Sequence, residues 1–168
     1  MLKVKPVLQA IAALIATTVY ATPALAVCAG NQIELFSCSF GSKQVELCMT
    51  ADDQSVTYRF GPSAAPEIEL TRGFDAITMQ PWNGIGRNIW DRVVLPNGQF
   101  SYALYAAYDK MDQQQSGGLE VLRGEQELAS LNCAADMFFD LDTLRLTMEQ
   151  GGFCRKDTAD VLSAEACD

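Results

Sequence analysis

The 168-residue chain contains no histidine. That absence removes Ser-His-Asp triads, Cys-His pairs and histidine zinc sites such as H-E-x-x-H in one step. No C-x-x-C occurs, so the close thiolate pairs of a structural metal site are missing as well, and neither metal nor cofactor is expected. Basic residues are scarce, with twelve Lys and Arg against 21 Asp and Glu. Such a negative field repels nucleic acid and anionic lipid and favours cationic partners or simple solubility. There is no internal repeat, no low-complexity tract and no linker. After the first 26 residues no apolar run reaches the ~20 residues that a membrane span needs. Gly84-Ile85-Gly86-Arg87 lacks the full G-x-G-x-x-G and its strand-to-helix context, so it reads as a loop and not as a phosphate cradle.

What is present begins with a leader. Lys3 and Lys5 precede an almost uncharged run from Val7 to Tyr20, and Ala24-Leu25-Ala26 follows with small residues at its first and third places. This is the layout of a secretory signal peptide over residues 1–26. A lipoprotein reading of Leu25-Ala26-Val27-Cys28 is disfavoured: Val27 stands where a small residue is wanted, and lipidating Cys28 would leave five cysteines. Removing the 26-residue leader from 168 leaves 142 residues, one exported domain at 27–168, in the periplasm or secreted. Ten basic residues then face 21 acidic ones, a charge of −11.

Six cysteines at 28, 38, 48, 133, 154 and 167 lie beyond the leader, and an even count in an exported chain reads as disulfides. Six cysteines allow fifteen pairings. Cys38 and Cys48 flank Gly41-Ser42-Lys43 and are symmetric about Lys43, so a hairpin with a three-residue loop centred on Lys43 would set them face to face. That favours Cys38–Cys48, with Cys133–Cys154 and Cys28–Cys167 completing the set. The rival set contains Cys154–Cys167 and Cys28–Cys133.

Short alternating runs recur along the chain. Val56, Tyr58 and Phe60 share a face, as do Phe100, Tyr102, Leu104, Ala106 and Tyr108. Further strands are expected at Ile33–Cys38, Gln44–Met49, Glu67–Leu70, Phe74–Gln80, Asn88–Leu95, Leu119–Arg123 and Glu127–Cys133. Turns fall at Gly61–Pro66, Asn97-Gly98 and Gly124-Glu125, and a polar loop at Asp109–Gly118. The expected fold is mainly β, an antiparallel barrel or sandwich, disulfide-bonded, with a short helical C-terminal segment. Residues 141–150 fit two patterns: Leu141, Leu144 and Met148 share a helical face, whereas Leu144, Leu146 and Met148 alternate as in a strand. A cap at Asp140 or Asp142 and the stop at Gly151-Gly152 favour helix. A second short helix, capped by Asp157 or Thr158, extends to about Ala166.

With no histidine and paired cysteines, acid–base catalysis falls to carboxylates alone. Glu67 and Glu69 share a strand face, and Asp136, Asp140 and Asp142 cluster without the D-x-D-x-D-G of an EF-hand loop. Asp52-Asp53 reads as a turn. Nothing sets two carboxylates at a glycosidase separation. Both tryptophans lie in Pro81–Trp90, with Arg87 between them. Trp82, Arg87 and Trp90 are the candidate binding residues, because aromatic and arginine anchors dominate interfaces and indoles stack on sugars. The bland alternative places Trp90 in the core and Trp82 over one end of the fold. Tyr105 is a weaker surface candidate.

Phe36-Ser37-Cys38, Lys43, Leu47-Cys48, Tyr58-Arg59-Phe60-Gly61, Glu67–Leu70, Gly84-Ile85-Gly86-Arg87, Ile89-Trp90, Asn97-Gly98, Ser101-Tyr102, Gly117-Gly118 and Leu131-Asn132-Cys133 together resemble a family of small uncharacterised exported proteobacterial proteins over residues 33–133. The resemblance implies bacterial export and carries over no catalytic residue. A looser likeness, at the level of fold, is to periplasmic lysozyme inhibitors. Their Ser-Gly-x-x-Tyr stretch has no counterpart, since Ser116-Gly117-Gly118-Leu119 lacks the tyrosine.

The expectation is an exported binding or inhibitor module without catalytic machinery, whose partner is a cationic protein or cell-wall glycan. The alternatives are a structural envelope-associated protein without a discrete ligand and a carboxylate-only hydrolase acting on glycan.

Overall fold

The computed structural model describes residues 28–155 and 160–167. The leader at 1–26 and the cap at Asp157 or Thr158 lie outside the described residues.

Strands β1 (Ile33–Phe40), β2 (Lys43–Met49), β3 (Ser55–Gly61) and β4 (Ile68–Gly73) form a meander. So do β5 (Thr78–Pro81), β6 (Asn88–Asn97), β7 (Phe100–Asp109), β8 (Gln114–Arg123) and β9 (Gln126–Asn132). A two-residue strand β10 (Phe138–Phe139) returns to the free edge of β1. The result is two five-stranded antiparallel sheets, ordered β10-β1-β2-β3-β4 and β5-β6-β7-β8-β9. They pack as a sandwich and do not close into a barrel.

Alternation places Val45, Leu47, Val56 and Tyr58 of the first sheet against Met79, Val93, Leu95 and Leu104 of the second, all fully buried. Tyr58 and Tyr102 stack across the interface, with ring centroids 5.1 Å apart. The Tyr58 hydroxyl is buried there without a partner, and burial drives its pKa up.

Helix α1 (Leu141–Gln150) resolves the ambiguity of residues 141–150. Asp140 caps it by accepting from the Thr143 N–H, and Gly151 N–H closes its last turn on Thr147 O. Leu141, Leu144 and Met148 enter the core, while Leu146 stays exposed. The helix touches β1 and β5, so it covers the side where the two sheets approach one another. The short pair β11 (Cys154–Arg155) and β12 (Leu162–Ser163) follows, then a 3-10 turn at Ala164–Cys167.

Three hairpins share one turn chemistry. Gly41-Ser42, Gly98-Gln99 and Gly124-Glu125 are two-residue loops, each with glycine first and at positive φ (66°, 63° and 59°). The Asn97-Gly98 turn therefore falls one residue later than expected, with Asn97 still paired to Phe100. The polar stretch expected as a loop from Asp109 to Gly118 is strand from Gln114 onward, because pairing with β7 needs backbone groups and not apolar side chains.

The disulfides are Cys28–Cys48, Cys38–Cys133 and Cys154–Cys167. None of the favoured pairings, Cys38–Cys48, Cys133–Cys154 and Cys28–Cys167, forms. Of the rival set Cys154–Cys167 forms and Cys28–Cys133 does not. The Gly41-Ser42 loop has two residues and not three, so Cys38 faces Val45 and Cys48 faces Glu34. Cys38 then lies among the core residues, whereas Cys48 lies behind the row of Val45, Leu47 and Met49. Two cysteines on opposite faces of a sheet cannot join. The N-terminal segment crosses the outer face of the first sheet instead, bonding Cys28 to Cys48 and donating from Gln32 Nε2 to Thr57 Oγ1 at 3.3 Å.

Candidate functional site

On β6, Ile89, Asp91, Val93 and Leu95 share the core-facing row, and Trp90, Arg92 and Val94 share the other. Val93 and Leu95 are buried. Ile89 and Asp91 continue the same row beyond the core, where the facing sheet no longer covers them. The row emerges into an open cleft of about 370 Å³, bounded by the end of β5, Trp82, helix α1 and β11.

The polar groups of the cleft come from three parts of the chain. Asp91 is half-buried; its Oδ1 accepts the Trp82 backbone N–H at 3.2 Å, and no cation pairs with it among the described residues. Burial pushes its pKa up, against the Trp82 N–H and the charges of Arg145 and Arg155. Helix α1 brings Asp142, Arg145 and Glu149 to one side at i, i+3 and i+7 spacing. Arg145 bridges Asp142 at 2.5 Å and holds both Glu149 oxygens, at 2.9 and 2.8 Å. Arg155 Nη2 donates to the carbonyls of Pro81 and Trp82, each at 3.0 Å.

Trp82 is a fixed wall. Its Nε1 donates to Ile85 O at 2.8 Å, and Asn83 Oδ1 takes the Ile85 N–H at 3.1 Å, so the loop closes around the indole. Lys110 holds its ammonium 4.8 Å from the ring centroid.

The structure separates the three residues singled out from sequence. Trp82 lines the cleft. Trp90 is half-buried, paired with Ala107, and lies on the outer face of the sheet, neither in the core nor in the cleft. Arg87 is exposed and its guanidinium is engaged by Asp109, 2.6 Å away, and by Asp112. It staples the Trp82 loop to the β7–β8 turn. Tyr105 lies across Gly118 on the outer face and donates to Asn132 Oδ1 at 2.8 Å.

The carboxylates weighed as catalysts are dispersed. Glu67 pairs with Lys43 at 2.8 Å and Glu69 with Arg59 at 3.1 Å, both on the surface. Asp136 accepts from Ser39 Oγ, Asp140 caps α1, and only Asp142 reaches the cleft. Asp52 accepts from Thr50 in a turn where Asp53 has φ 56°. Among the described residues no three Asp, Glu or Cys side chains converge as a metal-binding group.

Asp91, Arg145, Glu149 and Arg155 were missed from sequence. Asp91 carried a signal, an acid in register with Val93 and Leu95. The others lie far along the chain from Trp82 and carried none.

No family model, curated protein or solved structure matches the chain.

Proposed function

We propose that this chain is an exported binding module whose contact site is the cleft at the end of the sandwich. One observation carries the reading: the core-facing row of β6 runs on into an open, walled cleft, where a braced tryptophan meets a half-buried carboxylate that forms no ion pair among the described residues. Binding sites of this kind are concave, largely pre-formed and carry a few placed polar groups. Three disulfides fit a non-cytoplasmic compartment. Among the described residues no helix is long and apolar enough to cross a membrane. Periplasm or secreted location, and a cationic protein or cell-wall glycan as partner, belong to the same proposal. The likeness to small exported proteobacterial proteins supports export and adds no activity.

The test is capture from envelope and secretion extracts by residues 27–168, at low and high salt, beside the Trp82→Ala variant. Capture by the wild type that is lost in a folded Trp82→Ala protein supports the cleft. Capture that survives the substitution moves the site elsewhere. No specific partner in either salt favours the structural alternative.

A further inference from the structure

We propose that the ligand of this cleft is a saccharide, a neutral sugar ring laid against the Trp82 indole with its hydroxyls on the charged groups around it. The inference rests on the binding reading above and names the ligand class for the same site. Three features point to it.

The first is the wall. A sugar ring has a face of C–H groups, which an indole matches. The polar edge of Trp82 is already satisfied by Ile85 O at 2.8 Å and Lys110 sits over the ring, so the ring surface away from Lys110 is what it offers. The second is the mixture of donors and acceptors. Each sugar hydroxyl both donates and accepts. Asp91, Asp142 and Glu149 supply acceptor oxygens, and among the described residues Arg155 spends only Nη2, on the Pro81 and Trp82 carbonyls, leaving the rest of its guanidinium to donate.

The third is charge. Asp142 and Glu149 are matched internally by Arg145, and Lys110 is held over the indole, so an incoming cation finds only Asp91 without an ion-pair partner among the described residues. An anion meets three carboxylates. A neutral polyol meets neither obstacle. The volume, about 370 Å³, lies within the range of small-molecule pockets and suits a short stretch of sugar.

The experiment uses residues 27–168 with Trp90→Phe, which leaves Trp82 as the sole tryptophan. Because Trp90 lies on the outer face, the change spares core and cleft. Trp82 emission is titrated with N-acetylglucosamine oligosaccharides, with cello-oligosaccharides and with oligolysine. The expected result is a saturable change with a neutral oligosaccharide, equal at low and high salt, and weakened about ten-fold by Asp91→Asn through loss of a charged acceptor. A response to oligolysine alone, fading as salt rises, overturns the saccharide assignment and leaves the cleft as a site. Oligosaccharide binding indifferent to both Asp91→Asn and Arg155→Lys overturns it too, since the sugar then sits elsewhere. Silence with every probe also overturns it, and the Trp82→Ala capture then decides separately whether the cleft binds anything.

Discussion

Asp109 ends β7 opposite Asn88, where the Arg87 guanidinium approaches to 2.6 Å and the N–H groups of Met111 and Asp112 converge on Oδ1. These contacts, the Arg87 hydrogen bond first, hold its pKa at about 2. An aspartate whose pKa is depressed on folding contributes stability above its unfolded value, ~3.9, and loses it as pH falls towards the folded value. Arg87→Gln should therefore raise the Asp109 midpoint, read by carboxyl-carbon NMR. It should also flatten the pH dependence of stability between about pH 4 and 2. Folding at neutral pH should survive, because the pair lies at the surface, with Arg87 exposed and Asp109 half-buried, and such pairs contribute little. Gly118 makes a different demand. An added Cβ would meet Tyr105 Oη at 2.7 Å and also the Leu131 carbonyl of the neighbouring strand. Gly118→Ala should cost about 2 kcal/mol in urea denaturation, as overpacking does, and should disturb the Tyr105–Asn132 hydrogen bond.

The disulfides act on different elements. Cys38–Cys133 closes a separation of 95 residues and ties β1 to the end of β9, whereas Cys28–Cys48 and Cys154–Cys167 close 20 and 13. On the loop-entropy model the long bridge contributes about 4–5 kcal/mol and the short ones about 3. Replacing Cys38 and Cys133 together by Ala should lower the thermal midpoint most. Replacing Cys154 and Cys167 should leave the sandwich folded and loosen Arg155, which follows Cys154 directly. Trp82 emission should then shift to the red. The strands were readable because Val56–Phe60 and Phe100–Tyr108 alternate cleanly and glycines punctuate them; helix α1 was readable from its cap and its Leu141, Leu144 and Met148 stripe. The bridges were not, because pairing depends on loop length to a single residue: two loop residues in place of three put Cys38 and Cys48 on opposite faces. The cleft was readable at Trp82, at Asp142 as a candidate carboxylate, and in the register of Asp91 with Val93 and Leu95, but not as one site. It exists because α1 and β11 arrive beside β6 from the far end of the chain, and neither period nor spacing in β6 announces them.

At the scale of the whole molecule, the two meanders each fold from near neighbours, while β10, α1 and Cys133 bind the first sheet to late parts of the chain. Coupling should therefore show between the two ends. A variant that weakens α1 loosens one wall of the cleft and the covering of the gap between the sheets together, so ligand affinity and global stability should fall in step for changes at Asp140, but not for changes at Asp91.

The order of the cysteines has a consequence for how the protein is made. A chain entering an oxidising compartment from its N-terminus presents Cys28, then Cys38, then Cys48. The first two thiols available to an indiscriminate oxidant are ones that the native protein never joins, since Cys28 waits for Cys48 and Cys38 waits for Cys133. Sequential oxidation on such an entry would trap Cys28–Cys38, and escape would require thiolate attack on that bridge. Refolding the reduced protein under air alone should leave scrambled species on non-reducing gels, whereas a glutathione redox pair or a disulfide isomerase should restore the single native band. In the cell, supply of this protein should be governed by shuffling capacity more than by oxidising power.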